Sequence, residues 1–508
     1  MALHGRGTAG GPTLYSRRQA LHSSPSRTWH TTRPTTGLLD VFSPAPSVPG
    51  TTQAIGQPTP ETHPHLMTTG EVTPGITAAE YALRRRKLLE RLPAESIAVA
   101  FGHRLQYKAT HVFYPFHQNS DFLYLTGFNE PDAILLLEKS DRLPGGSRQC
   151  MFVLPKDPEA EKWEGPRAGV EGVQRVFGSY EGFPYAQFAS EMAATLAHAA
   201  ERGGPEPVQV YADLPPDYVM NSPQHTLTTL LDQQMISAVK LSPLVQQLRL
   251  IKSPAELALM QAAADITSEA FRAVMRTSSR SRTEHDVYTT FAYHCGQRGA
   301  EELAYVPVVA GGANALSLHY IQNNQRIAPT DLILLDGGAS YRHYASDVTR
   351  TWPVGGIFSD PQAELYRAVL NVQKECVAMC TEISNMSLNE IHWASTHRLQ
   401  RELAALGWDI TRQDITEILY PHHIGHYLGL DVHDILEVTR NLKLKQGMVV
   451  TIEPGIYVPH DKRFPAKYQG IGIRIEDNVA IGKTVPQVLS RDAPKEIDEI
   501  TLACHRDT

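Results

Sequence analysis

The chain has 508 residues, more than a single hydrophobic core usually supports, so at least two domains are expected. A hydrophobic fraction of 42% with 20% charged residues is ordinary for a soluble globular protein. A net charge of −7 gives no electrostatic reason to expect nucleic acid or an anionic membrane as partner, and no apolar run approaches the ~18 uncharged residues of a spanning helix.

The first 39 residues carry five arginines, no lysine and no acid, with abundant Ser and Thr; the first carboxylate is Asp40. An Arg-rich, Ser-rich, acid-free start without a continuous apolar stretch reads as a mitochondrial transit peptide over residues 1–40 rather than a secretory signal. Residues 41–75 form a Pro/Thr/Gly-rich tract, expected to be a disordered linker. Order is expected from Thr77, which caps the amphipathic run "YALRRRKLLERL" with Glu80 three residues on. That helix stops at Pro93. The stretches "SIAVAF", "FLYLTGF", "AILLLE" and "CMFVLP" read as strands of an N-terminal α/β domain over residues 76–245.

A second domain, residues 246–508, opens at "SPAE", where Ser253, Pro254 and Glu256 give an N-cap, a first-turn proline and a capping box. Helices follow from "DPQAE" and from "SLNE", the latter ending at Gly407; strands are expected near 305–310, 332–336, 346–353, 448–452 and 471–481. Five cysteines without a CxxC pair fit a reducing compartment rather than a disulfide scaffold. Cys376 and Cys380, four apart on a helical segment, read as small core residues ahead of a metal or redox pair.

The chemistry gathers in this second domain. "LLDGGASYRHYASDVTRTWPV" ends an apolar strand in Asp336 and presents Asp347 eleven residues later. A hairpin turning at Tyr341-Arg342 sets Asp336 opposite Asp347, with Cβ atoms about 5 Å apart. Two carboxylates that close repel, so one must protonate unless a cation lies between them. The alternative is that both simply form turns. "PHHIGHYLGLDVHD" then packs His422, His423, His426 and His433 among glycines, a pattern suited to close approach of a ligand. Two further strands deliver Glu453 ("MVVTIEPGIYV") and Glu476 ("IGIRIEDNVAI"), the second beside Arg474. Oxygen donors with imidazole suit Mn²⁺, Co²⁺ or Zn²⁺, including two ions bridged by carboxylates.

In this order and spacing, "LLDGG", "SDVTRTWPV", "HIGHYLGLDVHD", "TIEPGIYV" and "GIGIRIED" closely resemble the "pita-bread" metallopeptidases, and within them aminopeptidase P of the mitochondrial X-prolyl aminopeptidase 3 type. "SDFLYLTGFNEPDAILLL" resembles the N-terminal domain of the same family, so the likeness spans residues 65–500. It implies an α/β (α+β) chain, an N-terminal aminopeptidase P domain followed by a pita-bread catalytic domain.

The resemblance further implies metal ligation by Asp336, Asp347, His426, Glu453 and Glu476. Asp347 and Glu476 would bridge two divalent ions, Mn²⁺ first, with Co²⁺ or Zn²⁺ as alternatives. His433 resembles the histidine that touches substrate and steadies the tetrahedral intermediate; His319 and His422 resemble further pocket histidines, and Glu453 a proton shuttle. Tyr305, His433 and Arg474 resemble substrate-side positions, Arg474 also orienting a ligand. His423 departs from the pattern, which usually has a smaller residue there.

The implied reaction is hydrolysis of an N-terminal Xaa-Pro bond by a hydroxide bridging the two metals, in a mitochondrial (matrix) homodimer, with a cytosolic form where the leader is missing. Prolidases share fold and metals but take only dipeptides. A non-catalytic binding protein or a creatinase-type hydrolase would lack the ligand set, and a methionine aminopeptidase would lack the N-terminal domain.

Overall fold

Residues 55–75, expected to be unstructured, are folded. The computed structural model describes residues 55–178, 180–202, 208–215 and 219–505; the expected leader and residues 41–54 lie outside these. Ile55, Met67 and Val72 are buried. The Gln57 amide donates to the carbonyls of Val72 (3.2 Å) and Gly127 (3.0 Å) and accepts from Asn129 N (2.7 Å). Gly56 N donates to Glu130 Oε1 at 2.8 Å. A Pro/Thr/Gly tract cannot build a core of its own, but here its few apolar side chains enter a core that the following domain supplies.

That domain is built on a six-stranded mixed sheet, in spatial order Ala238–Val239, Gln209–Ala212, Ser96–Phe101, Ile134–Lys139, Ser147–Val153 and Glu181–Pro184. The strands Ser96–Phe101 and Ile134–Lys139 read as unbroken apolar runs because both of their faces are covered. Ala98, Leu135 and Leu137 pack toward the helix Ala78–Arg91, which Thr77 caps as expected. Ile97, Val99, Ile134 and Leu136 pack with Phe188, Met192 and Leu227 of the helices on the other side. "FLYLTGF" is a helix, Ser120–Thr126, and not a strand. Every residue from Phe122 to Thr126 is buried, so the run has no period to read. Its true signals are the Asn119 side chain accepting from Phe122 N at 2.9 Å and the left-handed Gly127.

The stretch expected to hold a domain boundary is itself a helix, Ser242–Arg249, with Val245 and Leu248 buried. The helix Pro254–Thr277 then starts on the full capping box of Ser253 and Glu256. It packs with Glu284–Gln297, Asp360–Ala378 and Leu388–Ala405 around antiparallel sheets. One sheet joins Val308–Gly311, Leu332–Gly337 and Val348–Pro353; a second joins Val449–Ile452, Asp477–Ala480 and Gln487–Val488; Gly455–Tyr457 pairs with Gly472–Arg474. The strand expected over 471–481 breaks at Ile475–Glu476, and the one expected from 346 begins at Val348. Both breaks fall at carboxylates of the site described below. Cys376 and Cys380 are buried in the core, the Cys380 thiol 3.4 Å from the Cys376 carbonyl. Among the described residues no helix is long and apolar enough to cross a membrane.

Candidate metal centre and its pocket

The hairpin that carries the two aspartates turns one residue later than expected. Ser340 pairs with Ala345 and Tyr341 with Tyr344, so the turn is Arg342-His343, with φ of 51° and 68°. Neither residue is one of the Gly, Asn or Asp types that signal such a turn in sequence, which is why the register was misread. Asp336 therefore pairs with Thr349 and not with Asp347. A slip of two residues keeps every side chain on its own face, so the carboxylates still converge. The Tyr305 hydroxyl lies 2.5 Å from Oδ1 of each aspartate. Gly338 permits the fold-back, since a Cβ there would sit 1.7 Å from the Ser346 carbonyl oxygen.

Thr451 Oγ1 accepts from His426 N at 3.1 Å, and His426 Nδ1 is 3.0 Å from the Tyr427 carbonyl. That carbonyl needs a donor, so Nδ1 carries the hydrogen and Nε2 faces the site, 3.2 Å from Asp347 Oδ2 and 3.9 Å from Glu453 Oε1. Glu453 follows the buried strand Val449–Ile452 directly, and Glu476 sits in the break between Gly472–Arg474 and Asp477–Ala480. Thr349 Oγ1 donates to Glu476 Oε2 at 2.6 Å. Ligand atoms of Asp347, His426 and Glu476 all lie within 4.8 Å of one another.

Four carboxylates in one buried place cannot all keep their charge unaided. Burial, then Asp347 and Glu453, push Glu476 well above the usual carboxylate range. Burial raises Glu453 to about 7 against the pull of His426 and Arg474. Asp336 is also raised, by burial with Asp347 adding and Arg474 opposing. His426 goes the other way: burial lowers it, but Asp347 and Glu453 outweigh that and lift it to about 9. A proton thus stands where a cation would relieve the repulsion, and the donor set fits divalent metal.

Arg474 is fully committed inside the protein. It donates to Asp336 Oδ2 (2.6 Å), the Tyr457 hydroxyl (2.7 Å) and Thr349 Oγ1 (3.2 Å), a position that orients a ligand. His422 Nε2 meets the Tyr457 hydroxyl at 2.9 Å; burial and then Arg474 push this imidazole down to about 3, so it is neutral. His433 is exposed, its ring 4.5 Å from that of His426. His319 is exposed at the same opening. All ten anticipated residues, Tyr305, His319, Asp336, Asp347, His422, His426, His433, Glu453, Arg474 and Glu476, line one cavity of about 520 Å³, walled on other sides by Val306, Leu318, Ile321 and Val432. His423 points away from it, bonded to Asn389 Oδ1 at 2.9 Å and stacked on His392 at 4.6 Å.

Sequence reading passed over Thr349, Thr451, Tyr457 and Asn478, which hold the donors in place. Asn478 grips the Asp347 backbone: its Oδ1 accepts from Asp347 N at 3.1 Å and its amide donates to the Asp347 carbonyl. Thr349, Thr451 and Tyr457 stand inside the quoted motifs, beside the ligands, but single Thr and Tyr residues in strands carry no signal of their own.

Fold and site together define a metallopeptidase. Residues 258–483 match metallopeptidase family M24, and residues 81–202 match the aminopeptidase P N-terminal domain. Over 479 residues the chain is 40% identical to Xaa-Pro aminopeptidase 3 of Mus musculus, covering 92% of this chain and 93% of the relative. It is 39% identical over 454 residues to intermediate cleaving peptidase 55, mitochondrial, of Arabidopsis thaliana, covering 89% and 87%. The crystal structure of Icp55 from Saccharomyces cerevisiae is similar at a TM-score of 0.78 and 37% identity, covering 86% of this chain and 99% of that one. The chain belongs to the M24 metallopeptidases of the aminopeptidase P type, with an aminopeptidase P N-terminal domain before a pita-bread domain, and is a metallo-aminopeptidase.

Proposed function

We propose that the protein removes the residue preceding proline from the N-terminus of peptides, with two divalent ions, Mn²⁺ first, held by Asp336, Asp347, His426, Glu453 and Glu476. The observation that carries this reading is the convergence of those five donors on one cavity. When bound, such ions supply a hydroxide nucleophile and Lewis-acid stabilisation of the carbonyl oxygen. The remaining work falls to side chains. His433, exposed beside His426, donates a hydrogen bond to the carbonyl oxygen as it gains charge. His422, neutral and fixed by Tyr457, and His319 at the opening orient the peptide. Tyr305 holds Asp336 and Asp347 together and borders the substrate. The bond before proline is a tertiary amide whose leaving nitrogen must gain a proton. Glu453, at the edge of the same cavity, is the carboxylate we assign to that transfer. Val306, Leu318, Ile321 and Val432 receive apolar parts of the substrate.

The decisive measurement is kcat/KM on Xaa-Pro-Xaa, its Xaa-Pro dipeptide, its N-acetylated form and the same tripeptide with Ala for Pro, before and after chelation and with Mn²⁺ restored. The tripeptide is expected to be cleaved best, the acetylated form not at all, and the chelated enzyme to recover with Mn²⁺. Strong preference for the dipeptide would make the protein a prolidase. Equal cleavage of the Ala peptide would show that proline after the scissile bond is not required and would overturn the Xaa-Pro assignment.

We further propose a homodimer, residues 1–40 as a leader for the mitochondrial matrix, and a cytosolic form where that leader is missing. The leader is motivated by the acid-free, Arg-bearing start together with the mitochondrial name of the Arabidopsis relative, and the homodimer by the family resemblance alone. A fluorescent reporter fused to residues 1–60 is expected to enter mitochondria, and a diffuse cytosolic signal would refute the assignment.

A further inference from the structure

The exposed His433 is flanked in the chain by two aspartates that are anchored elsewhere. Asp431 precedes it by two residues and Asp434 follows directly. Asp434 is buried: its Oδ1 accepts from Arg249, its Oδ2 accepts from Lys252 Nζ at 3.1 Å, and its N donates to the Tyr427 carbonyl at 3.0 Å. A Cβ on Gly429 would lie 2.4 Å from Asp434 Oδ2, so the loop can fold over this carboxylate only with glycine there. Asp431 accepts from Arg249 Nη2 at 2.7 Å and from Ser120 Oγ at 2.6 Å. Arg249 Nη1 donates to Asp121 Oδ1 at 2.7 Å.

Ser120 and Asp121 open the helix Ser120–Thr126 of the N-terminal domain, and Ser120 lies 311 residues from Asp431 in the chain. One guanidinium, 4% exposed, therefore joins the start of an N-terminal helix to both flanks of His433. Of these pairs only Arg249–Asp434 is desolvated on both sides, and a buried ion pair is weak evidence for added stability. The Asp431 side chain, at 42% exposure, contributes little to stability in any case.

We propose that Ser120 and Arg249 are positioning residues: through Asp431 and Asp434 they fix His433 beside the metal centre, so that the N-terminal domain sets the rate of turnover while supplying no metal donor. This rests on the reading of His433 as the imidazole that meets the carbonyl oxygen. The bonds can be loosened at their mildest points, with Ser120→Ala and Asp431→Asn, each made alone and together with His433→Ala.

In the otherwise unaltered enzyme with Mn²⁺, each is expected to lower kcat on an Xaa-Pro-Xaa peptide about fivefold, roughly one hydrogen bond, with KM, metal content and melting temperature unchanged. Ser120→Thr, which keeps the hydroxyl, restores kcat. In the His433→Ala background, already slow and still binding two metals, neither change lowers kcat further. Equal losses in both backgrounds, no loss in either, or a change confined to KM would overturn the proposal while leaving the role of His433 intact. Full turnover by His433→Ala alone would remove that role and the proposal with it.

Discussion

Glu476→Ala is expected to abolish metal-dependent peptide hydrolysis even at saturating Mn²⁺, and Asp336→Ala is expected to do the same. Both side chains are among the five proposed donors; Glu476 is one of three residues, with Asp347 and His426, whose ligand atoms fall within 4.8 Å of one another, and Asp336 lines the same cavity. Truncation removes a proposed donor outright, and the loss should exceed the roughly 10- to 100-fold typical when only a supporting hydrogen bond is removed. Thr349→Ala, which takes away the hydroxyl donated to Glu476, should fall within that smaller range. Misfolding is excluded by a control that follows from the electrostatics. Glu476 is pushed far up by burial and by Asp347 and Glu453, so without metal its charge opposes the folded state. Metal-free Glu476→Gln should therefore melt no lower than the metal-free parent. Substantial activity in a metal-saturated Glu476→Ala enzyme would sink the assignment.

Asp477→Ala, one residue further along, should act on stability instead. Arg350 and Asp477 are both fully buried, with Arg350 Nη2 donating to Asp477 Oδ1 at 2.7 Å. Gln373 donates to Asp477 Oδ2 at 2.7 Å, Ser490 donates to Oδ1 at 2.8 Å, and Lys495 reaches Oδ2. Arg350 also donates to the Thr349 carbonyl (3.0 Å) and the Glu476 carbonyl (2.5 Å). One cluster thus ties the strands Val348–Pro353 and Asp477–Ala480 to the helix Asp360–Ala378. Truncating Asp477 strands a guanidinium in the interior, a change that usually destabilises by about 3–5 kcal/mol. Urea unfolding measures this, and a loss under about 1 kcal/mol would show that water or another acid reaches Arg350.

The pH dependence has a definite sign. Burial raises the Asp477 carboxyl, but Arg350 and Lys495 outweigh burial and hold it well below the ordinary range. Its contribution is therefore complete above the unfolded value of about 3.9 and disappears as pH falls toward the folded one. The gap between the parent and Asp477→Asn should be constant from about pH 7 to about pH 5 and narrow only below about pH 4.

Two of the proposed donors were legible because each ends an apolar run with a charge. Asp336 follows Leu332–Leu335, and Glu453 follows Val449–Ile452, positions where a solvated carboxylate has no reason to be. Helix starts were legible for a similar reason, since Ser253 and Ser387 form capping boxes that are local in sequence. The misreadings were tertiary in origin. "FLYLTGF" is buried on every side, and a fully covered helix and a fully covered strand look alike over seven residues. Arg342 and His343 occupy left-handed conformations that nothing in their side chains announces. The order of residues 55–75 depends on Glu130 and Gly127, more than fifty positions downstream. Arg249 reads as an unremarkable helix-terminal residue until Asp121, Asp431 and Asp434 are brought to it.

That last tract of backbone also limits maturation. Ile55 fills the N-terminal core, Gly56 supplies a donor to the buried carboxylate of Glu130, and Gln57 closes three backbone groups around Gly127. A protease that trimmed the chain past these residues would remove Ile55 from the N-terminal core and take from Glu130 the Gly56 amide, one of the two backbone donors it has beside that of Ala168. Any presequence released from this protein is therefore expected to be cut ahead of residue 55, and a mature N-terminus mapped beyond Gln57 would contradict this.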